Sequence, residues 1–203
     1  MGQRGRPKSF DREAVLDAAM LLFWDRGFEQ TSVDEVAAAM GICTSSLYSS
    51  FGDKEALFLA AVEHYRTGMG SVYDIAVNKG KTAKEGFTNL FELAATEMTR
   101  NDQPKGCMLS LALPTCSPEY DELQKELERL RMISETVWVK RLQTAVQSKE
   151  IPKSTDVHLL ATFFKTTLMG MSFQARAGAS QQKLMEIGKL ALQVWPGRSS
   201  SKS

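Results

Sequence analysis

Residues 23–57 read FWDRGFEQTSVDEVAAAMGICTSSLYSSFGDKEAL, and the punctuation of this stretch decides the fold. Ser32-Val33-Asp34-Glu35 has the S-x-x-E capping box, in which a serine hydroxyl and a glutamate carboxylate satisfy exposed N–H groups at a helix start. Val33, Val36, Ala37 and Met40 supply the buried side of the short helix it opens, and Gly41 ends that helix. After the turn Gly41-Ile42-Cys43, Thr44 to Phe51 make another short helix with Leu47 and Phe51 inward at i, i+4. Helix, glycine-containing turn, short helix is the helix-turn-helix geometry, whose second helix enters a major groove.

The same periodicity extends in both directions. Val15, Leu16, Ala19, Leu22 and Phe23 form the stripe of a helix that stops before Gly27. A fourth helix starts near Asp53-Lys54-Glu55, with acids at the positive end of its dipole, and buries Leu57, Phe58, Ala61, Val62 and Tyr65. Beyond Gly68 and Gly70 the register changes. A loop containing Asn78, Gly80 and Thr82 is expected before the next stripe, Phe87, Leu90, Phe91, Ala94, Ala95 and Met98. Pro104 and Pro114 bracket a short apolar helix from about Cys107 to Leu113. Ser117-Pro118-Glu119 caps a long helix, with proline at the first helical position, that runs to about Gln147. Two more helices follow, over 155–177 and 180–195. Strand alternation is nearly absent, so the chain is predicted to be all-α. A basic arm over 1–9, a helix-turn-helix domain over 10–66, a larger helical domain over 67–197 and a tail over 198–203 complete the organisation.

With 43% apolar and 24% charged residues among 203, disorder and collagen-like repeats are excluded. No run approaches the ~18 apolar residues of a membrane span, and MGQRGRPKSFDRE lacks the apolar stretch of a secretory signal, which places the protein in the cytoplasm. Cys43, Cys107 and Cys116 offer neither a disulfide framework nor a zinc site, and nothing calls for a cofactor. Only His64 and His158 are available as catalytic bases of their kind, and no GxSxG, HExxH, P-loop or dinucleotide fingerprint occurs, which argues against an enzyme. The net charge of +1 says little. Its distribution says more. Met1 to Arg12 carries Arg4, Arg6, Lys8 and Arg12 against Asp11, whereas Glu13 to Arg66 carries three basic residues and nine acids. Pro7 pushes Arg6 toward an extended backbone, and an extended Arg-Gly-Arg fits a narrow minor groove; a solvated terminus is the plain alternative.

The spacing Phe23-x3-Gly27-x3-Thr31-Ser32-Val33-x2-Val36-Ala37-x3-Gly41-Ile42-x4-Leu47-Tyr48-x2-Phe51-x2-Lys54-Glu55-x-Leu57 resembles the N-terminal domain of the TetR family of bacterial transcriptional repressors. The resemblance covers about residues 10 to 65; the rest matches only in helix order and length. It implies an all-helical homodimer that binds double-stranded operator DNA and is released by a small molecule bound in the C-terminal domain. Carried over by position, Thr31 would hold a phosphate, Thr44, Ser45 and Ser46 would face the groove, Tyr48 and Ser49 would bond phosphates, and Lys54 would add a charge contact. Hydroxyls at a helix start suit phosphates and base acceptors. Tyr48 serves equally well as core. This chain departs from the family in having Cys43 where a serine often caps the recognition helix, so the cap is expected to pass to Thr44. From Gly41 to Phe51 there is no charge, which leaves base readout to hydroxyls, thymine methyls and water.

Phe87, Phe91, Met98, Met108, Met132, Trp138 and Phe164, together with Cys107, lie on helices that would enclose the effector cavity of such a fold, and their softness suits an apolar or planar ligand. Each also reads as core. Cys107, beside Lys105 at a helix start, has a setting that favours the thiolate; it is either a thiol switch, as in some family members, with Cys116 as its partner, or a buried inert cysteine. The penultimate helix is apolar on two sides: Val157, Leu160, Ala161, Phe164 and Leu168 on one, Leu159, Phe163, Gly170 and Phe173 on the other. The last helix carries Leu184, Ile187, Gly188, Ala191 and Trp195. Pairing of these two helices with their copies is the expected homodimer contact; a buried helix of a monomer is the alternative. The competing function is a helical ligand-binding or protein-interaction module without sequence-specific DNA binding.

Overall fold

A computed structural model describes residues 11–112 and 118–197. Ten α-helices occur among them. They are α1 (Arg12–Arg26), α2 (Val33–Met40), α3 (Thr44–Phe51), α4 (Lys54–Thr67), α5 (Ser71–Lys79), α6 (Ala83–Glu97), α7 (Met108–Leu111), α8 (Asp121–Gln147), α9 (Val157–Arg176) and α10 (Gln181–Ala191). Single 3-10 turns, Pro118–Tyr120 and Leu192–Val194, precede α8 and follow α10. No strand occurs among the described residues. The all-α prediction and the order of two helical domains hold.

Side chains cap several helix starts, but not that of α8: it begins at Asp121 behind Tyr120 with no side-chain cap, because Pro118–Tyr120, expected as its first turn, is a separate 3-10 turn. Asp11 accepts from the Glu13 N–H at 3.0 Å to open α1. Ser32 and Glu35 form the complete capping box of α2, and Asp53 accepts from the Ala56 N–H at 2.7 Å to open α4. Gly41, at φ +62°, closes α2 in the left-handed conformation that side chains resist. Behind these caps α1 and α4 pack closely: Val15, Ala19, Phe23, Leu57, Phe58, Ala61, Val62 and Tyr65 are all buried. Phe58 anchors the layer, its ring 5.0 Å from both Phe23 and Phe28. Met20 and Trp24 also belong to this core. Leu22 and Phe51, expected inward, are half-buried.

The region after Gly70 differs from the expected loop. Ser71–Lys79 is a helix, α5, which packs along α6. Its polar residues hid it: Asp74 and Asn78 break the apolar stripe, yet Tyr73, Ala76 and Val77 bury one face. A Cβ at Gly86 would lie 2.1 Å from the Val77 carbonyl oxygen, so α6 approaches the end of α5 without a side chain between them. Arg141 on α8 donates to the Val77 and Gly80 carbonyls, at 3.3 and 2.9 Å, and closes the α5 terminus from the third side.

α8, α9 and α10 complete the second domain around Phe87, Phe91 and Phe164. Gly188 admits a neighbouring helix, as its sequence position suggests, and that neighbour is α6 of the same chain: an added Cβ would meet Phe91 at 2.6 Å. Leu184 and Ala191 are likewise spent on the monomer core, so the outward apolar residues are Leu190 on α10 and Val194 in the 3-10 turn after it. On α9 the division into two faces stands. Leu160, Ala161, Phe164 and Leu168 are buried, while Leu159, Phe163, Gly170 and Phe173 are exposed.

Candidate nucleic-acid interface and effector cavity

The recognition helix α3 is pinned from behind by Leu47, 1% exposed, so the opposite face looks outward. That face carries Ser45, Tyr48, Ser49 and Ser50, all exposed, with Ser46 half-buried at its edge. Tyr48 is 48% exposed and therefore free of the core role that its ring chemistry also allowed. The Ser49 hydroxyl donates to the Ser45 carbonyl at 2.8 Å, which leaves its oxygen lone pairs outward as acceptors.

Several expected roles change. Thr31 is fully buried; its hydroxyl donates to the Gly27 carbonyl at 2.9 Å and lies 3.3 Å from that of Leu22. The unpaired carbonyls at the α1 terminus draw this donor inward, so it cannot hold a phosphate. Cys43 occupies the N-cap of α3 without a side-chain hydrogen bond. The cap does not pass to Thr44, which lies inside the helix and donates to Asp34 Oδ1 at 2.6 Å. That bond ties α3 to α2 and occupies the hydroxyl expected in the groove. Lys54 also turns aside: its ammonium donates to the Glu29 carbonyl at 3.3 Å and sits 4.5 Å over the Phe28 ring. Burial there pulls its pKa below the ordinary lysine value. Arg4, Arg6 and Lys8 lie outside the described residues.

A cation not assigned to the interface stands beside α3. The Arg12 guanidinium lies 4.2 Å over the Phe51 ring and donates to the Ser50 carbonyl at 3.3 Å. It favours the negative end of the α3 dipole and presents positive charge at the rim of the outward face. The sequence contained the signal, since Arg12 belongs to the basic run at the start of the chain, but its helical position was needed to aim it.

α4 leads from this reading head to a cavity of about 60 Å³ in the second domain, where Tyr65 and Arg66 line the wall. Cys107 and Trp138 are in that wall as expected. Phe87, Phe91, Met98 and Phe164 are not: they are at most 2% exposed and pack on one another, Phe87 against Phe164 at 4.7 Å between ring centres. Met108 faces a different cavity, between α1 and α9, beside Phe28 and Arg176. Met132 is 57% exposed at the surface of α8. The reason is the rotation of α8, which turns Arg131 inward. Its guanidinium donates to the carbonyls of Leu109 at 3.2 Å and Ala112 at 2.8 Å, replacing the water that a buried arginine needs.

One side of the cavity is polar, which soft side chains alone do not predict. Asp74 accepts from Ser134 Oγ at 3.0 Å and Trp138 Nε1 at 3.1 Å. Burial raises its carboxyl pKa against the opposing pull of these bonds and of Arg66. Lys165 pairs with Glu135 at 2.8 Å. Burial pushes the Tyr65 and Tyr73 hydroxyls well above their ordinary range. Arg131, Ser134 and Glu135 interrupt the Leu127–Leu130–Trp138 stripe at helical spacing, a pattern that marks a polar pocket inside a core face. Lys105, expected beside the Cys107 thiol, spends its ammonium on the carbonyls of Thr99 and Arg100 and on Asn101 Oδ1, at 2.6–2.7 Å. Cys116 lies outside the described residues.

Among the described residues no helix is long and apolar enough to cross a membrane. Residues 15–61 match the family described as bacterial regulatory proteins, tetR family, and residues 83–189 match the tetracyclin repressor-like C-terminal domain. The HTH-type transcriptional repressor ComR of Escherichia coli is 35% identical over 194 residues, spanning 95% of this chain and 92% of that protein. The repressor BdcR of the same organism is 26% identical over 188 residues, 92% and 90% of the two chains. The regulator CifR, solved as a cysteine mutant with a 26-bp double-strand operator DNA, superposes with a TM-score of 0.89 at 33% identity, over 95% of this chain and all of that one. The chain belongs to the TetR family of bacterial transcriptional regulators.

Proposed function

We propose that this regulator is a repressor that binds a palindromic operator as a homodimer and leaves it when a small molecule fills the cavity beside Tyr65. One observation carries the reading: the outward face of α3 presents Ser45, Tyr48 and Ser49, and α4, which starts directly after it, ends in the wall of the cavity at Tyr65 and Arg66. A ligand that prefers one position of α4 therefore acts on the reading head through a single rigid element. Coupling of about 1–3 kcal/mol suffices for switching. The repressor names of ComR and BdcR and the operator complex of CifR support the same reading.

The homodimer pairs α9 and α10 with their copies. Phe163 and Phe173, 40% and 49% exposed, lie on one outward face of α9, and Leu190 and Val194 extend the apolar surface at the end of the chain. Large rings on a helix surface are costly unless covered, and a two-fold axis lets one patch cover itself. Two recognition helices then meet one duplex face at ~34–36 Å or a multiple of it. Selection from random duplexes tests the reading. A palindrome with half-sites one or more helical turns apart is expected; recovery of no preferred sequence makes the chain a ligand-binding or interaction module instead.

A further inference from the structure

The charged groups around the cavity do not all pair, and the one left over points to the ligand. Arg66 is held by Glu63 through two hydrogen bonds of 2.7 and 2.6 Å. Arg131 pairs with Glu128 at 3.3 Å, and Lys165 with Glu135 at 2.8 Å. Among the described residues, Asp74 is the one charged group of the wall with no opposite charge within 4 Å. Each wall cation, Arg66, Arg131 and Lys165, already has a carboxylate partner, so Asp74 is the charge left over. Ser134 and Trp138 fill two of about four acceptor positions of the Asp74 carboxylate. The remaining ones belong to a cavity that Tyr65, Tyr73 and Trp138 also line.

We infer that the cavity takes a small organic cation, a primary ammonium on a short carbon chain, whose charge rests on Asp74 and whose flanks meet the Tyr65, Tyr73 and Trp138 rings. An ammonium supplies both the missing charge and the donors that Asp74 lacks, and aromatic faces attract it further. An anion meets the unpaired Asp74 carboxylate and finds every wall cation already paired. A neutral alcohol can donate to Asp74 but leaves its charge uncompensated in a buried place. The volume of about 60 Å³ limits the ligand to about four to six non-hydrogen atoms, at the ~10–15 Å³ a water molecule requires. Burial holds the Asp74 carboxyl above its ordinary range. Its ionisation therefore opposes folding: stability falls as pH rises through the interval between the ordinary and the raised value, and the ionised form gains most from a bound cation.

This inference names the effector class of the cavity and so rests on the regulatory reading, but its test is independent of DNA. Melting temperature of the full-length protein is measured in amine-free phosphate buffer with propylammonium chloride, 1-propanol, sodium propionate and potassium chloride, the salts at equal ionic strength. Propylammonium is expected to raise Tm over potassium chloride by about 3 °C at tenfold excess over Kd, with no rise from propanol or propionate. Asp74→Asn, whose Oδ1 can accept from Trp138 Nε1 while its Nδ2 donates to the Ser134 hydroxyl, is expected to melt at or above wild type at neutral pH and to lose the response. An equal shift from propanol, or an undiminished shift in Asp74→Asn, overturns the inference. Operator release is then read separately by gel shift. Loss of DNA binding on adding propylammonium supports both readings; a wild-type Tm response without release upholds the ligand class and counts against its role as effector. A protein that binds its operator and ignores propylammonium overturns the ligand class alone.

Discussion

Arg176, in the last turn of α9, donates through Nη2 to the main-chain oxygen of Trp24 at the end of α1, and through Nη1 to that of Asp25 at 3.1 Å. This guanidinium therefore closes a helix of the helix-turn-helix domain from a helix of the C-terminal domain. Partial burial pulls its pKa down from the ordinary arginine value, yet the carbonyls at the negative end of the α1 dipole hold it. Trp24 in turn meets Tyr65 edge-on at 5.0 Å between ring centres. The two domains are joined where the cavity wall begins.

Arg176→Ala should lower unfolding free energy by about 2 kcal/mol, the size of hydrogen bonds to a charged group. Arg176→Lys, which keeps the charge without the planar fork, should recover part of it. Urea denaturation of the two variants is the check. Equal midpoints for wild type and Arg176→Ala would show that the contact carries no stability.

Tyr48→Phe should weaken operator binding by about 1 kcal/mol per half-site while leaving Tm unchanged, because the hydroxyl stands outside the core. Gel-shift titration and a melt separate the two effects. A fall in Tm with unaltered affinity would return Tyr48 to a packing role.

Gly86→Ala sets two magnitudes against each other. Alanine in a helix gains about 1 kcal/mol over glycine, but here its Cβ would sit 2.1 Å from the Val77 carbonyl. Forcing α5 and α6 apart costs about 1–3 kcal/mol, so the variant should be destabilised, read as a lower urea midpoint. A stabilised variant would mean that the two helices separate freely.

The reading head was legible in the sequence because short-range chemistry determines it. Ser32 and Glu35 cap α2, Gly41 turns, and the Leu57–Tyr65 stripe anchors α4, all through interactions spanning a few residues. The cavity was not. Met98 and Phe91 have the softness of a ligand wall, but whether they face a void or one another is set by the rotation of α6 and α8, which no local pattern encodes. Asp74 was hidden for a related reason: it and Asn78, two polar residues on α5, break the apolar periodicity of that helix. Thr31 and Thr44 have hydroxyls suited to phosphate, yet Gly27 and Asp34, four and ten residues away, claim them first.

Pairing through α9 as the condition for operator binding is measured by sedimentation of the protein with and without its selected duplex, comparing wild type with Phe163→Glu. Wild type should sediment as a dimer at micromolar concentration and load two chains, or a multiple of two, onto one duplex. Phe163→Glu should be monomeric and bind at least tenfold more weakly, as loss of a 1.4 kcal/mol or larger pairing energy requires. A monomeric wild type that binds the duplex one to one, or a monomeric Phe163→Glu with undiminished affinity, would contradict the account.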